Sequence, residues 1–386
     1  MSALPPLCGH EEIQQRFREA AAGNRLPQSL LLHGPDGVGK QRLGLWIAAL
    51  VLCEPEGNER PCGVCPPCGM VGNLRHPDLH WFFPLQSPRG SRTPKKRREL
   101  FEEARIDALE TRRKDPFGIN PSEPSAAIYL SMVQEIRSRA TRRPAIGQSA
   151  VFLIGDAERM VPQASSQEAA NAFLKLLEEP PPDTLIILTS SRPGELLPTI
   201  KSRALSVRIT QPAPSVTERF LEREVGMKPT VARNLARRSQ GAVGLALRMA
   251  GAEPTDEDEG WRFVHTALAG SVADRLAAAV AFPVSGARGP FSVTLNRIEE
   301  VLRECIASQF DCVDFVWNSD IRDRLPEIGD LAPENLISAL DHVEQARSAA
   351  AGNGNPQAIA AVLLSNLARE LHPEEARSRN VTSKHV

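Results

Sequence analysis

The chain has 386 residues with 46 basic and 47 acidic side chains, so no global field draws it to nucleic acid and any such contact must be local. Its length calls for two or three domains, and a hydrophobic fraction of 41% suffices for packed cores. No run approaches the roughly 18–20 apolar residues of a membrane span, and no N-terminal stretch reads as basic-then-apolar, which sets the expectation of a soluble, cytoplasmic protein without a membrane partner.

Residues 1–28 read as a lead-in and one helix, with Ile13, Phe17 and Ala20–Ala21 at helical spacing. Ser29–His33 is an apolar strand. It runs into Gly34-Pro35-Asp36-Gly37-Val38-Gly39-Lys40 and then into a helix reaching about Cys53. Strand, glycine-rich turn, lysine and helix form the context of a phosphate-binding loop. Gly34, Gly37 and Gly39 let backbone N–H groups point at phosphate oxygens, and the helix N-terminus adds partial positive charge. Lys40 would reach the outer phosphates. The next position ordinarily carries a Ser or Thr hydroxyl for Mg²⁺, and here it is Gln41.

Cys53, Cys62, Cys65 and Cys68 follow, the last three in Cys62-Gly63-Val64-Cys65-Pro66-Pro67-Cys68. Four thiolates at this spacing are the ligand set of a closed, tetrahedral structural Zn²⁺ site. The alternative is a group of buried or redox cysteines. Cys8, Cys305 and Cys312 are isolated and read as inert. His76-Pro77-Asp78-Leu79-His80 reads as a turn leading into a strand rather than as a metal site. Residues 86–125 look inserted, and Arg89, Arg92, Lys95, Lys96, Arg97 and Arg98 carry six positive charges without an acid between them. The plain reading is a solvated loop ahead of a short helical piece; the sharper one is a local DNA or partner contact.

Ile128–Arg139 is an amphipathic helix and Ala150–Ile154 a buried strand. In phosphate-loop proteins an acid at such a strand's end completes the magnesium site. Gly155 stands in that slot, although a one-residue shift would give Asp156 the role. Gln167–Glu179 is a helix, Thr184–Leu188 a strand and Leu205–Ile209 the last strand. Alternating strands and helices make a parallel α/β sheet. Residues 214–250 form a small helical unit, Glu253–Gly260 an acidic linker, 261–372 a helical domain and 373–386 a disordered tail.

With these residues placed, the chain resembles the delta-prime group of the bacterial DNA polymerase III clamp-loader (AAA+) family. The resemblance rests on the phosphate loop at 34–40, the cysteine quartet, Leu176-Leu177-Glu178-Glu179-Pro180, Ser202-Arg203 and Asn353-Gly354-Asn355-Pro356. It implies an AAA+ α/β domain over 1–211 with a zinc module at 53–68, a lid over 212–252 and an oligomerising helical collar over 261–372. It also implies a hetero-pentamer with the gamma/tau ATPase and delta subunits, acting through the complex on the sliding clamp and primer–template DNA. Arg203 would be an arginine finger acting in trans on a neighbour's ATP. Gln41, Gly155 and Gly244, the last at the position of a phosphate-sensing arginine in ATPase subunits, imply a degenerate site, doubtful ATP binding and no activity alone. The competing readings are the hydrolysing gamma/tau subunit and a free-standing zinc-containing DNA-binding adaptor.

Overall fold

The computed structural model describes residues 6–54, 60–88, 93–117, 126–160, 168–251, 254–284, 287, 290–309, 331–352 and 354–371. The chain falls into two compact units, Met1–Gly251 and Ala252–Val386.

The first unit is built on five parallel strands: β1 (Ser29–His33), β2 (Leu79–Phe82), β3 (Ala150–Ile154), β4 (Thr184–Ser190) and β5 (Leu205–Arg208), in the order β2-β3-β4-β1-β5. β1, β3 and β4 lie inside the sheet, and helices packed on both of its faces bury their side chains, as their continuous apolar runs require. The alternation is visible residue by residue. Leu30, Leu32, Val151, Leu153, Leu185 and Ile187 point into one core, and Leu31, Phe152, Ile154, Ile186 and Leu188 into the other. Helices α1 (Glu11–Ala22), α2 (Lys40–Leu52) and α3 (Pro66–Gly72) contribute to the first core; α5 (Leu130–Ala140) and α6 (Glu168–Glu178) close the second. The fifth helix begins two residues later than its periodicity suggests: Tyr129 is extended as its N-cap, and the Ile128 N–H donates to the Arg159 carbonyl at 3.0 Å. A short α7 (Pro198–Lys201) precedes β5. Then α8 (Pro214–Arg223), α9 (Pro229–Arg238) and α10 (Val243–Gly251) pack around Leu221, Ala232, Leu235, Ala236 and Ala246.

The helical piece expected after the basic run is present and starts earlier, taking in the last four basic residues as α4 (Pro94–Lys114), capped by Thr93, whose hydroxyl accepts the Lys96 N–H at 3.3 Å. Phe101, Arg105 and Leu109 are its buried face. Arg105 donates to the Trp81 carbonyl at 3.2 Å, lies 5.0 Å from the Phe82 ring centroid and pairs with Glu102. The helix thereby covers edge strand β2, a position that would otherwise offer open hydrogen-bonding groups. Arg89 and Arg92 lie outside the described residues; Lys95, Lys96 and Arg97 are exposed in the first turns of α4.

The second unit is helical: α11 (Pro254–Ala269), α12 (Val272–Val280), α13 (Pro290–Gln309), α14 (Pro333–Ala351) and α15 (Pro356–Leu371). The expected linker at 253–260 is largely the opening of α11, since Pro254 suits a first helical position. Leu295, Ile298, Val301, Leu302 and Cys305 on α13 meet Leu336, Val343 and Ala346 on α14 and Leu363, Leu364 and Leu367 on α15. Asn355 opens α15 by accepting the Gln357 N–H at 2.9 Å. Cys312 and the 373–386 tail lie outside the described residues. No helix among the described residues is long and apolar enough to cross a membrane.

Candidate functional site: a phosphate loop and a cysteine cluster

The loop leaves the carboxyl end of β1, the usual place for ligand-binding turns in open α/β sheets. Two of its glycines are fixed by close approach. A Cβ on Gly34 would lie 2.0 Å from the Ile209 carbonyl oxygen; Gly37 has φ 75° and its Cβ would lie 2.6 Å from the Leu245 nitrogen. Gly39 is the N-cap of α2. Lys40 is buried, and its Nζ donates to the carbonyls of Gly34 at 3.0 Å and Pro35 at 2.7 Å. Burial lowers its pKa, while Asp36, Asp156 and Glu158 oppose that shift.

Helix α10 docks end-on against the loop. The Gly244 N–H donates to the Gly37 carbonyl at 2.8 Å, and a Cβ on Gly244 would sit 3.0 Å from the Gly37 Cα. Gly244 is therefore a contact residue that must be small. One turn on, Arg248 pairs with Asp36, whose other oxygen accepts the Gly37 N–H at 2.8 Å.

Gln41 and Gly155 face each other. A Cβ on Gly155 would lie 2.7 Å from Gln41 Oε1 and 2.8 Å from its Cδ. The amide of Gln41 thus fills the volume next to the strand end where a carboxylate would project. Asp156, at φ 49°, donates its N–H to Thr189 Oγ1 at 3.1 Å. Its carboxyl is held above the usual range by burial and then by the charges of Glu158 and Asp36. Gly37, Gly39, Lys40, Gln41 and Asp156 all line one cavity of about 620 Å³, together with Asp36; Gly34 is joined to it only through the Lys40 bond.

The cysteines gather at the other end of α2. Cys53 follows its last residue, Cys62 and Cys65 lie in the intervening turn and Cys68 in α3. The four Sγ atoms lie within 4.8 Å of one another, with Cys53 3.6 Å from Cys62 and 3.8 Å from Cys65. A tetrahedron with Zn–S bonds of about 2.3 Å has sulfur–sulfur edges of about 3.8 Å, so the donor set fits zinc. The backbone N–H groups of Cys62 and Cys65 point at the sulfurs of Cys53, at 3.5 Å, and Cys62, at 3.4 Å. Such donors favour thiolates: the N–H groups of Val64 and Cys65 bring Cys62 down to about 6, whereas burial pushes Cys53 and Cys68 up. The histidines stay apart. His76 Nδ1 accepts the Asp78 N–H at 3.1 Å, and Asp78 in turn binds the N–H groups of Ala145, Ile146 and Gly147. His80 is stacked on Phe152 and brought down to about 4 by burial. Cys8 and Cys305 are buried.

Arg203 is half-exposed. Its Nη2 pairs with Glu178 at 2.8 Å and its Nη1 donates to the Thr199 carbonyl at 3.1 Å. The fold therefore joins two separate sequence motifs, the Leu-Leu-Glu-Glu-Pro stretch and Ser202-Arg203. Two features were not legible in the sequence. Glu158 is buried, and its Oε1 accepts the N–H groups of Ser191 and Arg192. Arg112, on α4, reaches the loop cavity, and nothing in its sequence neighbourhood marks it.

A family model described as DNA polymerase III, delta subunit, matches residues 9–213. DNA polymerase III subunit delta′ of Pseudomonas aeruginosa is 29% identical over 202 residues, covering 52% of this chain and 49% of that protein. The delta′ subunit of Bacillus subtilis is 29% identical over 214 residues, covering 55% and 51%. DNA polymerase III subunit gamma/tau of Mycobacterium tuberculosis is 25% identical over 202 residues, covering 52% and 28%. The matched region thus spans about half the length of the delta′ relatives. Among solved structures, a DNA polymerase III gamma subunit-related protein of Thermotoga maritima aligns over 94% of this chain and 99% of that one, at 17% identity and a TM-score of 0.36.

Proposed function

This chain belongs to the DNA polymerase III delta subunit family, and from that premise we propose that it is the non-hydrolysing, delta-prime-type subunit of a clamp loader. In this reading the α/β domain is an AAA+ module, α8–α10 are its lid and the second unit is a collar. The subunit joins gamma/tau ATPase and delta subunits, and the assembled ring places the sliding clamp on primed DNA.

The observation that carries the non-hydrolysing part is the contact between Gln41 and Gly155. In phosphoryl transfer Mg²⁺ bridges the outer phosphates and is held by a loop hydroxyl and a strand-end acid. Here one is replaced by an amide and the other by hydrogen, and the amide fills the gap. The two changes are complementary in volume, which supports a site settled into another use. The gamma/tau reading needs that magnesium site intact.

Catalysis by this subunit would then lie in trans, through Arg203. Its pairing with Glu178 is half-exposed, and such pairs contribute only ~0–1 kcal/mol. The half-exposed guanidinium can exchange Glu178 for a neighbour's γ-phosphate, to which its planar fork would donate two hydrogen bonds. For the collar, Val272, Leu276 and Val280 are well exposed along one face of α12, and they suit contact with a neighbouring helix. Cys53, Cys62, Cys65 and Cys68 would hold Zn²⁺, which supplies a cross-link between the end of α2 and α3.

Reconstituting the loader from this chain with its ATPase and delta partners tests the reading. Arg203→Ala and Arg203→Lys should both assemble yet slow clamp-stimulated ATP hydrolysis, with lysine rescuing poorly for want of the fork. Fingers of this kind are worth about 10³–10⁵ in GTPases, and one site among several should change the summed rate less. Wild-type rates in both assembled mutants would remove the trans role.

A further inference from the structure

The core shared by α8–α10 is small, Leu221, Ala232, Leu235, Ala236 and Ala246, and it does not decide how the three helices sit on the sheet domain. Contacts outside it decide that. The chain enters from β5 through Pro212, which closes on Gly9: a Cβ on that glycine would lie 3.2 Å from the Pro212 Cβ. Helix α10 meets the phosphate loop through Gly244 and Arg248.

A third contact comes from the inserted segment. Past Asp115, the C-cap of α4, Pro116 and Phe117 reach α8, where the rings of Phe117 and Phe220 meet edge to face, with centroids 5.8 Å apart and planes at 84°. Arg42, in the first turn of α2, holds the same two residues. It donates to the Pro116 carbonyl at 2.5 Å, and its guanidinium lies 6.0 Å from the Phe117 ring centroid. A planar cation with a carbonyl at its edge and a ring at its face keeps the two in fixed relation.

The arm that carries Phe117 is itself anchored. Arg113, in the last turn of α4, donates to the carbonyls of Asn73 at 2.8 Å and Leu74 at 2.9 Å, just past α3. Arg112 lies 3.7 Å from the Phe83 ring centroid and 5.3 Å from that of Trp81. Pro116 then restricts the backbone between helix end and ring. Covering β2 does not account for this arm. Helix α4 shields the sheet edge with Phe101, Arg105 and Leu109, and the residues past Asp115 bridge to α8 instead.

We propose that Pro116 and Phe117 form a strap that locks helices α8–α10 to the sheet domain, so that the two move as one body. Chain order places these helices between the sheet and the helical second unit, which begins at Ala252. With the strap closed, a pull on the second unit is passed on to the sheet. With the strap open, it is absorbed by bending in residues 209–213, between β5 and α8. The strap draws on no part of the magnesium argument, so ATP turnover by this chain would leave it standing.

The test is hydrogen–deuterium exchange read by mass spectrometry on the full-length, zinc-loaded chain, with Phe117→Ala, Phe220→Ala and the double variant beside wild type. Native exchange reads local opening segment by segment. The reporting amide is Gly244, whose N–H is bonded across the junction to the Gly37 carbonyl and is freed when the helices lift. Losing one edge-to-face ring contact should speed its exchange by about twofold to tenfold. Peptides of β1, β3 and β4 should keep the wild-type rate, and the double variant should exchange no faster than the faster single one, because both remove the same contact. Phe117→Leu, which keeps apolar bulk without the ring, guards against unfolding and should give a smaller rise in the same peptides. Wild-type exchange at Gly244 in folded Phe117→Ala would overturn the proposal. A rise shared equally by the sheet would also overturn it, since that is a loss of overall stability and not the release of a lock. A double variant whose rise is the product of the two single ones would do the same, since the two rings would then act apart.

Discussion

In the function proposed above, the two ends of α2 have gone opposite ways as metal sites. At its C-terminal end four sulfurs converge at the spacing a tetrahedral ion needs, with backbone N–H groups turned towards two of them. At its N-terminal end, about 20 Å away at 1.5 Å per residue, the Gln41 amide fills the space beside Gly155, the two positions where the proposed reading has both magnesium anchors replaced. The difference follows from what each ion does. A structural ion is bound up with folding, so losing one ligand unravels the segment it ties. A catalytic ion matters only to turnover, and a subunit freed of turnover can lose its ligands while keeping the loop, the lysine and the lid contact as architecture.

The largest way to break this contrast is at the cysteines. Protein purified without chelator should carry about one zinc per chain by metal analysis; none would refute the site. Cys68→Ser should release the metal and lower the melting temperature more than any change at the loop. Binding free energies for small structural zinc sites run to about 10–16 kcal/mol, and part of that is folding energy here. By the same logic, added millimolar Mg²⁺ without nucleotide should leave the melting temperature unchanged.

A sharper test addresses the loop end. Gly155→Ala pushes a methyl group into the Gln41 amide, and overpacking of this kind costs on the order of 1 kcal/mol when the neighbour is a flexible tip. Making the change in a Gln41→Ala background should remove that cost. A double-mutant cycle read by urea denaturation should give a coupling of at least about 0.5 kcal/mol; additivity would show that the two positions are unrelated.

The smallest expected effect concerns Asp156. Its folded pKa is raised by burial, Glu158 and Asp36. Between the unfolded value near ~3.9 and the raised one, the folded state binds more protons than the unfolded state, so stability falls as pH rises through that window. Asp156→Asn should flatten this decline in melts across mildly acidic pH. An unchanged slope would mean that Asp156 is already compensated by a cation.

Much of this was legible in the chain itself. The three inner strands announce themselves because continuous apolar runs such as Leu30-Leu31-Leu32 and Val151-Phe152-Leu153-Ile154 have no other stable place than a sheet covered on both faces. The cysteine spacing carries its own geometry. Helix α4 was partly hidden, since its charged sequence resembles a solvated run and only three residues form its buried face. Its cover of β2 depends on which strand becomes the sheet edge, which local sequence does not encode. The Gln41–Gly155 contact was half-visible: each loss could be read alone, but their fit in volume needed the register of β3 against α2. Arg112 was invisible for the same reason.

The central claim is that the loop end of α2 is no longer a hydrolytic site, and the most direct measurement is steady-state ATP turnover by the purified, zinc-loaded chain alone beside Lys40→Ala. The account predicts phosphate release at the same background rate in both. Turnover well above background that vanishes in Lys40→Ala would contradict it and move the chain to the hydrolysing class.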